Sequence, residues 1–350
     1  MSEELTSAAL SELSRQAGYT SMTERLLEDM RARELLPAVR RRANVGRKPV
    51  WVHPPGTASQ LFALLKLRES TRNADLLRVA LWYQGYPVPL VAVRRSIVVR
   101  MQLLVDELAL TLERPHNEID GDRIREVASI LAGRRGKRSV GPRTSRMARE
   151  ERVDGVAYLL ALIVGAPAES VGDPVLAERV LGINWGRHGL GAENRWIASA
   201  PGEEAAALRD VLSLHSWVEA VKGASDAELL AARDTAARFM TGLPVVALFL
   251  EASLGPSAAG LAGLRDFAAP SPESVPPLLA FVVHLLRTHA DGVAELGAAL
   301  EPAIEARSGF ELLASLEPAD REKRLDSLPA EDAIRLRRMI KTYTAQTRET

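Results

Sequence analysis

A chain of 350 residues has room for two domains, and 47% apolar with 26% charged residues is the composition of a globular protein rather than a disordered or fibrous one. It contains no cysteine, which excludes disulfide frameworks, cysteine-ligated zinc and thiol nucleophiles. The net charge of zero hides a division: residues 1–150 carry 26 Lys and Arg against 17 Asp and Glu, and residues 151–350 carry 19 against 28. The first half is therefore the one to test for polyanion binding.

The apolar runs near Val156–Val164 and Val275–Leu286 fall short of the roughly eighteen residues a membrane span needs. The acidic start Met1-Ser2-Glu3-Glu4 is unlike a secretory signal. No membrane partner and a cytoplasmic location are expected. Ala, Leu, Arg and Glu at three- and four-residue spacing dominate, so the fold class expected is mainly α.

Leu5–Gln16 has helical spacing, with Leu5, Ala9, Leu13 and Ala17 on one side and Gly18 as its stop. Ser21 with Glu24 three residues on is a capping-box pattern that starts a second helix, running to about Arg33. Pro37 disfavours helix at Leu36, so Leu35-Leu36-Pro37 ends it. Helix, tight turn and helix of these lengths form a helix-turn-helix pattern whose second helix suits a DNA major groove.

Five basic residues, Arg40, Arg41, Arg42, Arg47 and Lys48, then surround a turn at Asn44–Gly46, and Val39 and Val50-Trp51-Val52 can pair as a small hairpin. Guanidinium groups in such a wing meet phosphate oxygens and release counterions without reading sequence. Thr57 with Gln60 caps a helix bearing Leu61, Leu64, Leu65 and Leu67. Asn73 or Asp75 opens another through Trp82, which closes at Gly85.

Together these features resemble the MerR-type winged helix-turn-helix domain, from Glu12 to about Val88. Glu12–Gly18 is similar to its first helix, Leu35-Leu36-Pro37 to the end of its recognition helix, Arg40–Arg47 to its wing, and Trp51–Pro54 to the place of the aromatic that seats the wing. The chain departs from that pattern at Glu34, where a glycine usually caps the helix, and at Leu27-Glu28, in place of a basic–aromatic pair. The resemblance implies a winged helix-turn-helix over 1–89 and duplex DNA as partner. Met22–Arg33 would then lie in the major groove, with Thr23, Glu24, Arg25, Asp29 and Arg31 facing bases or flanking phosphates. Arg40, Arg41, Arg42, Arg47 and Lys48 would grip the backbone.

Residues 90–150 read as a connecting helix, Leu90–Arg114, and a basic linker, Arg134–Arg149. Ile97, Met101, Leu104 and Leu108 follow the spacing of a short dimerisation seam, and equally of a helix packed on a local core. Residues 151–350 read as a helical effector or oligomerisation domain for a small-molecule or protein effector, with breaks at Gly242–Pro244 and elsewhere; Trp185, Trp196 and Trp217 could line a pocket for an apolar effector, and core packing accounts for them equally well. None of the six histidines has metal-ligand spacing, and the glycine-rich stretch Gly182–Gly191 follows no strand. No catalytic residue, cofactor or metal is expected, and the chain is expected not to be an enzyme. The alternative to a DNA-binding regulator is a helical protein-interaction module that does not bind DNA.

Overall fold

The computed structural model describes residues 4–45, 48–112, 121–132, 147–181, 211–254, 270–330, 332–334, 336, 337 and 340. The chain is mainly helical, and a single two-stranded antiparallel hairpin is its sheet among these residues. It divides into two compact units. The first comprises Met1–Leu103, Ala220–Arg233 and Pro270–Val283; the second comprises Leu104–Glu219, Asp234–Ala269 and His284–Thr350.

In the first unit, α1 spans Ser7–Gln16 and is capped by Thr6, whose hydroxyl accepts from the Ala9 amide. The helix turns a different side inward from the one the apolar spacing suggested. Leu10, Ser11 and Ser14 are buried, whereas Ala9, Leu13 and Ala17 are exposed. Two serines tolerate burial because each hydroxyl donates to a backbone carbonyl, Ser11 to Met22 at 3.0 Å and Ser14 to Leu10 at 2.8 Å.

Helix α2 spans Glu24–Ala32. Thr23, not Ser21, is its cap: Met22 is buried, which holds the preceding residues in the turn, and the Thr23 hydroxyl accepts from the Leu26 amide at 3.2 Å. The helix ends at Glu34, the one non-glycine residue with positive φ (58°) among those described. There the Leu35 amide bonds the Met30 carbonyl and the Glu34 amide bonds that of Arg31. That pair of bonds is the Schellman termination, for which glycine is the usual residue and a side chain costs about 1 kcal/mol.

Strands β1 (Arg40–Val45) and β2 (Lys48–Val52) pair with Arg40 opposite Val52, Arg41 opposite Trp51 and Ala43 opposite Val50, with an irregularity between Arg41 and Ala43. Strand alternation helps decide what seats the hairpin. Val52 is 2% exposed and the adjoining His53 is fully buried, so these two anchor it, while Trp51, on the opposite side of the strand from Val52, is 52% exposed. Trp51 therefore does not fill the seating role that the resemblance gave to Trp51–Pro54.

Helices α3 (Thr57–Leu67), α4 (Ala74–Tyr83) and α5 (Leu90–Leu112) follow in chain order. Asn73 caps α4, accepting from Asp75 and Leu76. The expected Thr57/Gln60 cap does not form. Gly56, at φ 86°, precedes α3; Thr57 donates to the Pro54 carbonyl, and Gln60, fully buried, donates to the Leu35 carbonyl at 2.9 Å. The interior is supplied by Leu10, Leu27, Met30, Leu61, Leu64, Leu77, Leu81, Ile97 and Met101. Ile97 and Met101 are thus spent on the protomer's own core, so the first half of the seam expected over Leu90–Arg114 is not open to a partner chain.

In the second unit, α6 (Gly121–Ala132), α7 (Arg149–Val164) and α8 (Pro174–Leu181) pack around Ile124, Ala128, Tyr158, Leu162 and Val180. The approach of α7 and α8 is close: a Cβ at Gly155 would lie 2.6 Å from the Leu176 carbonyl oxygen. Further helices of the chain cover Leu214–Lys222, Asp226–Leu254, Val275–Thr288, Ala290–Ser315 and Pro318–Asp326. The break expected at Gly242–Pro244 is absent, because Asp226–Leu254 continues through Pro244. Leu300 and Ile304 close on Gly242 from Ala290–Ser315, and this packing outweighs the single backbone bond that proline removes. No helix among the described residues is long and apolar enough to cross a membrane.

His53 makes the first unit sensitive to acid. Burial, and then the nearby Arg31 guanidinium, lower its pKa from 6.5 to about 4. The unfolded chain takes up a proton near pH 6.5 that the folded one refuses until about pH 4, so stability is lost as the pH falls through that window. For a fully buried ring the loss is about 3 kcal/mol. Urea denaturation of wild type between pH 7 and 4 should show that loss in excess of His53→Leu. Parallel profiles for the two proteins would contradict it.

Candidate nucleic-acid interface

The face of α2 turned to solvent carries Glu24, Arg25, Glu28, Asp29 and Arg33, all exposed. Of the residues expected to read bases, Thr23 has its hydroxyl committed to capping. Asp29 is engaged by Arg33, whose Nε donates at 3.1 Å. Arg31 is largely covered, its side chain 18% exposed and 3.8 Å from Glu28. Glu24 and Arg25 remain at the exposed start of the helix. Three exposed acids thus stand against two exposed bases on this surface, which gives α2 no net attraction for phosphate.

The hairpin has the opposite character. Arg40, Arg41 and Arg42 are consecutive on β1 and all exposed. Arg47 lies outside the described residues, as does the side chain of Lys48, whose backbone pairs with Val45. Arg41 stands directly across from Trp51, so a cation and an aromatic ring share one side of the ribbon. Arg40 and Arg42 both reach the carboxylate of Glu4, a residue that the sequence pattern did not single out.

Besides the buried Leu27 and Met30, a second group of residues, which sequence reasoning missed, ties α2 to the rest of its unit. Arg78 on α4 is 9% exposed. Its Nε donates to the Arg33 carbonyl at the end of α2 (2.8 Å), and its Nη1 donates to Asp75 (2.6 Å) and to Ser96 Oγ on α5 (3.1 Å). Ser96 donates in turn to Asp75 at 2.8 Å. Arg95 on α5 donates to Glu34 at 2.7 Å, and Arg78 stands 3.8 Å from the same carboxylate. The only trace of this group in the sequence is the Asp75–Arg78 spacing, ordinary for a helix.

Elsewhere, Arg134 to Arg146 of the basic linker and all of Gly182–Gly191, with Trp185 and Trp196, lie outside the described residues. Arg149 opens α7 and bonds Ser129, and Trp217 donates its indole N–H to the Val211 carbonyl at 2.7 Å. Compared with family models, curated proteins and solved structures, the chain matches none.

Arg78 is the residue on which the placement of α2 turns. Arg78→Met removes a nearly buried guanidinium, leaving the buried Ser96 hydroxyl, the partly buried Asp75 and the Arg33 carbonyl without it, and should cost about 3 kcal/mol of stability. Arg95→Ala, at an exposed pair, should cost less than about 1 kcal/mol. Urea midpoints of the two variants check the order; equal small losses would remove Arg78 from this role.

Proposed function

We propose that this chain is a duplex-DNA-binding regulator in which the hairpin supplies affinity and α2 enters the major groove. The observation that carries this reading is three consecutive exposed arginines on a short hairpin that directly follows a helix pair. The resemblance to MerR-type domains gives the same assignment. Arg40, Arg41 and Arg42, with Arg47 and Lys48, then neutralise backbone phosphates, and the counterions released make binding strongly salt-dependent. Glu24 and Arg25 lie where α2 would meet base edges, Arg25 donating to guanine or phosphate and Glu24 accepting from cytosine. The acids on α2 act as a filter, since a helix without net positive charge holds DNA only where its edges match. In this reading the chain has no catalytic role, works in the cytoplasm, and uses residues 151–350 to sense an effector or to oligomerise.

A second reading, a helical module that docks a protein and not DNA, is favoured by the excess of acids on the solvent face of α2 and by the exposure of Trp51 on the hairpin that follows it. Salt separates the two, because docking of an apolar surface strengthens or holds steady as salt rises.

The test is binding of random-sequence duplex across a salt series, for wild type and for R40A/R41A/R42A. The slope of log affinity against log salt should become shallower by about 0.9 for each phosphate no longer neutralised, or about 2.7 if all three arginines engage phosphates. A triple variant that binds with the wild-type slope would show that the hairpin does not hold DNA.

A further inference from the structure

The start of α1 and the residues ahead of it are fastened to His53, which adjoins the hairpin, independently of any charge. The His53 amide donates to the Leu5 carbonyl at 2.7 Å, and Ser7 Oγ and His53 Nε2 share a hydrogen bond of 3.1 Å. This fastening delivers the Glu4 carboxylate to β1. One of its oxygens meets Nη2 of Arg40, and the other lies 3.7 Å from Nε of Arg42.

Two guanidinium groups, each facing a different oxygen of one carboxylate, present the same donor pattern that two arginines offer to the two free oxygens of a phosphodiester. The place is open to a larger anion, since the side chains of Arg40 and Arg42 are 56% and 63% exposed. It is also already filled. Because the backbone bond at Leu5 tethers Glu4, its carboxylate competes at a high effective concentration that dilution does not lower.

We propose that Arg40 and Arg42 form one anion site whose resident occupant is the Glu4 carboxylate, and that a backbone phosphate of duplex DNA takes the site by displacing it. This inference rests on the reading of the chain as a DNA binder and adds its regulation: a built-in acid that lowers non-specific affinity. DNA must make further contacts, through Arg41 and α2, to offset the exchange.

The experiment measures affinity for a random-sequence duplex at about 50 mM salt with Glu4→Gln, which keeps the side-chain shape and removes the charge. Glu12→Gln, on the exposed side of α1 and paired with Arg15, is the control for net charge alone. Loss of two exposed ion pairs should raise the affinity of Glu4→Gln about threefold to tenfold, with Glu12→Gln near wild type. In an R40A/R42A background, Glu4→Gln should have no effect. Affinity equal to or below wild type for Glu4→Gln overturns the proposal. So does a gain that persists in the R40A/R42A background, which would mark a general charge effect. Salt-dependent binding by wild type with no change in Glu4→Gln removes this site alone, whereas absence of duplex binding by every protein removes the DNA reading and this site with it.

Discussion

The nearly buried guanidinium of Arg78 closes the last turn of α2 by donating to the Arg33 carbonyl, and it shares Asp75 and Ser96 with α4 and α5. The same turn contains Glu34 in a left-handed conformation that a glycine would adopt without cost. The strain has a compensation that glycine could not offer, because the Glu34 carboxylate reaches Arg95 and lies near Arg78. The end of α2 is therefore specified by charge from two other helices as well as by its own backbone. The direction in which α2 presents Glu24 and Arg25 depends on this arrangement.

Charge is divided between the two exposed elements of the first unit. The α2 surface sets Glu24, Glu28 and Asp29 against arginines, and two of these, Arg31 and Arg33, pair along the helix with Glu28 and Asp29. The hairpin has its arginines in a row, and the acid that meets them, Glu4, comes from another segment. On the proposed DNA-binding reading, an element that reads and an element that grips make opposite demands. Reading is sharpened by repulsion of the wrong surface, and gripping requires net positive charge.

Local signals in the sequence foretell local structure. The Asn73 cap, the hairpin over Arg40–Val52 and the long helix from Leu90 all follow from nearest-neighbour chemistry, whereas α2 stops at Glu34, ahead of the Leu35-Leu36-Pro37 that the sequence offered as its end. The failures are tertiary. Ser11 and Ser14 go inside because a turn carbonyl and a helix carbonyl receive them, which changes the buried side of α1. Gln60 goes inside to reach Leu35, and packing carries a helix through Pro244. Ile97 and Met101 fit a dimer seam and a monomer core equally well by spacing, and only the fold shows that the core takes them. The candidate site divides in the same way. The arginine row is legible as composition, whereas the Glu4–Arg40 and Arg78–Arg33 bonds join residues 36 and 45 positions apart and leave no periodic trace.

Binding of duplex phosphate by the hairpin arginines is tested most directly by the affinity of the wild-type chain for random duplex at about 50 and about 200 mM salt. With three to five phosphates neutralised, affinity should fall by a factor of about forty to five hundred between those concentrations. Binding that changes by less than about twofold, or is absent at the lower salt, would contradict this account and assign the exposed hairpin to another partner.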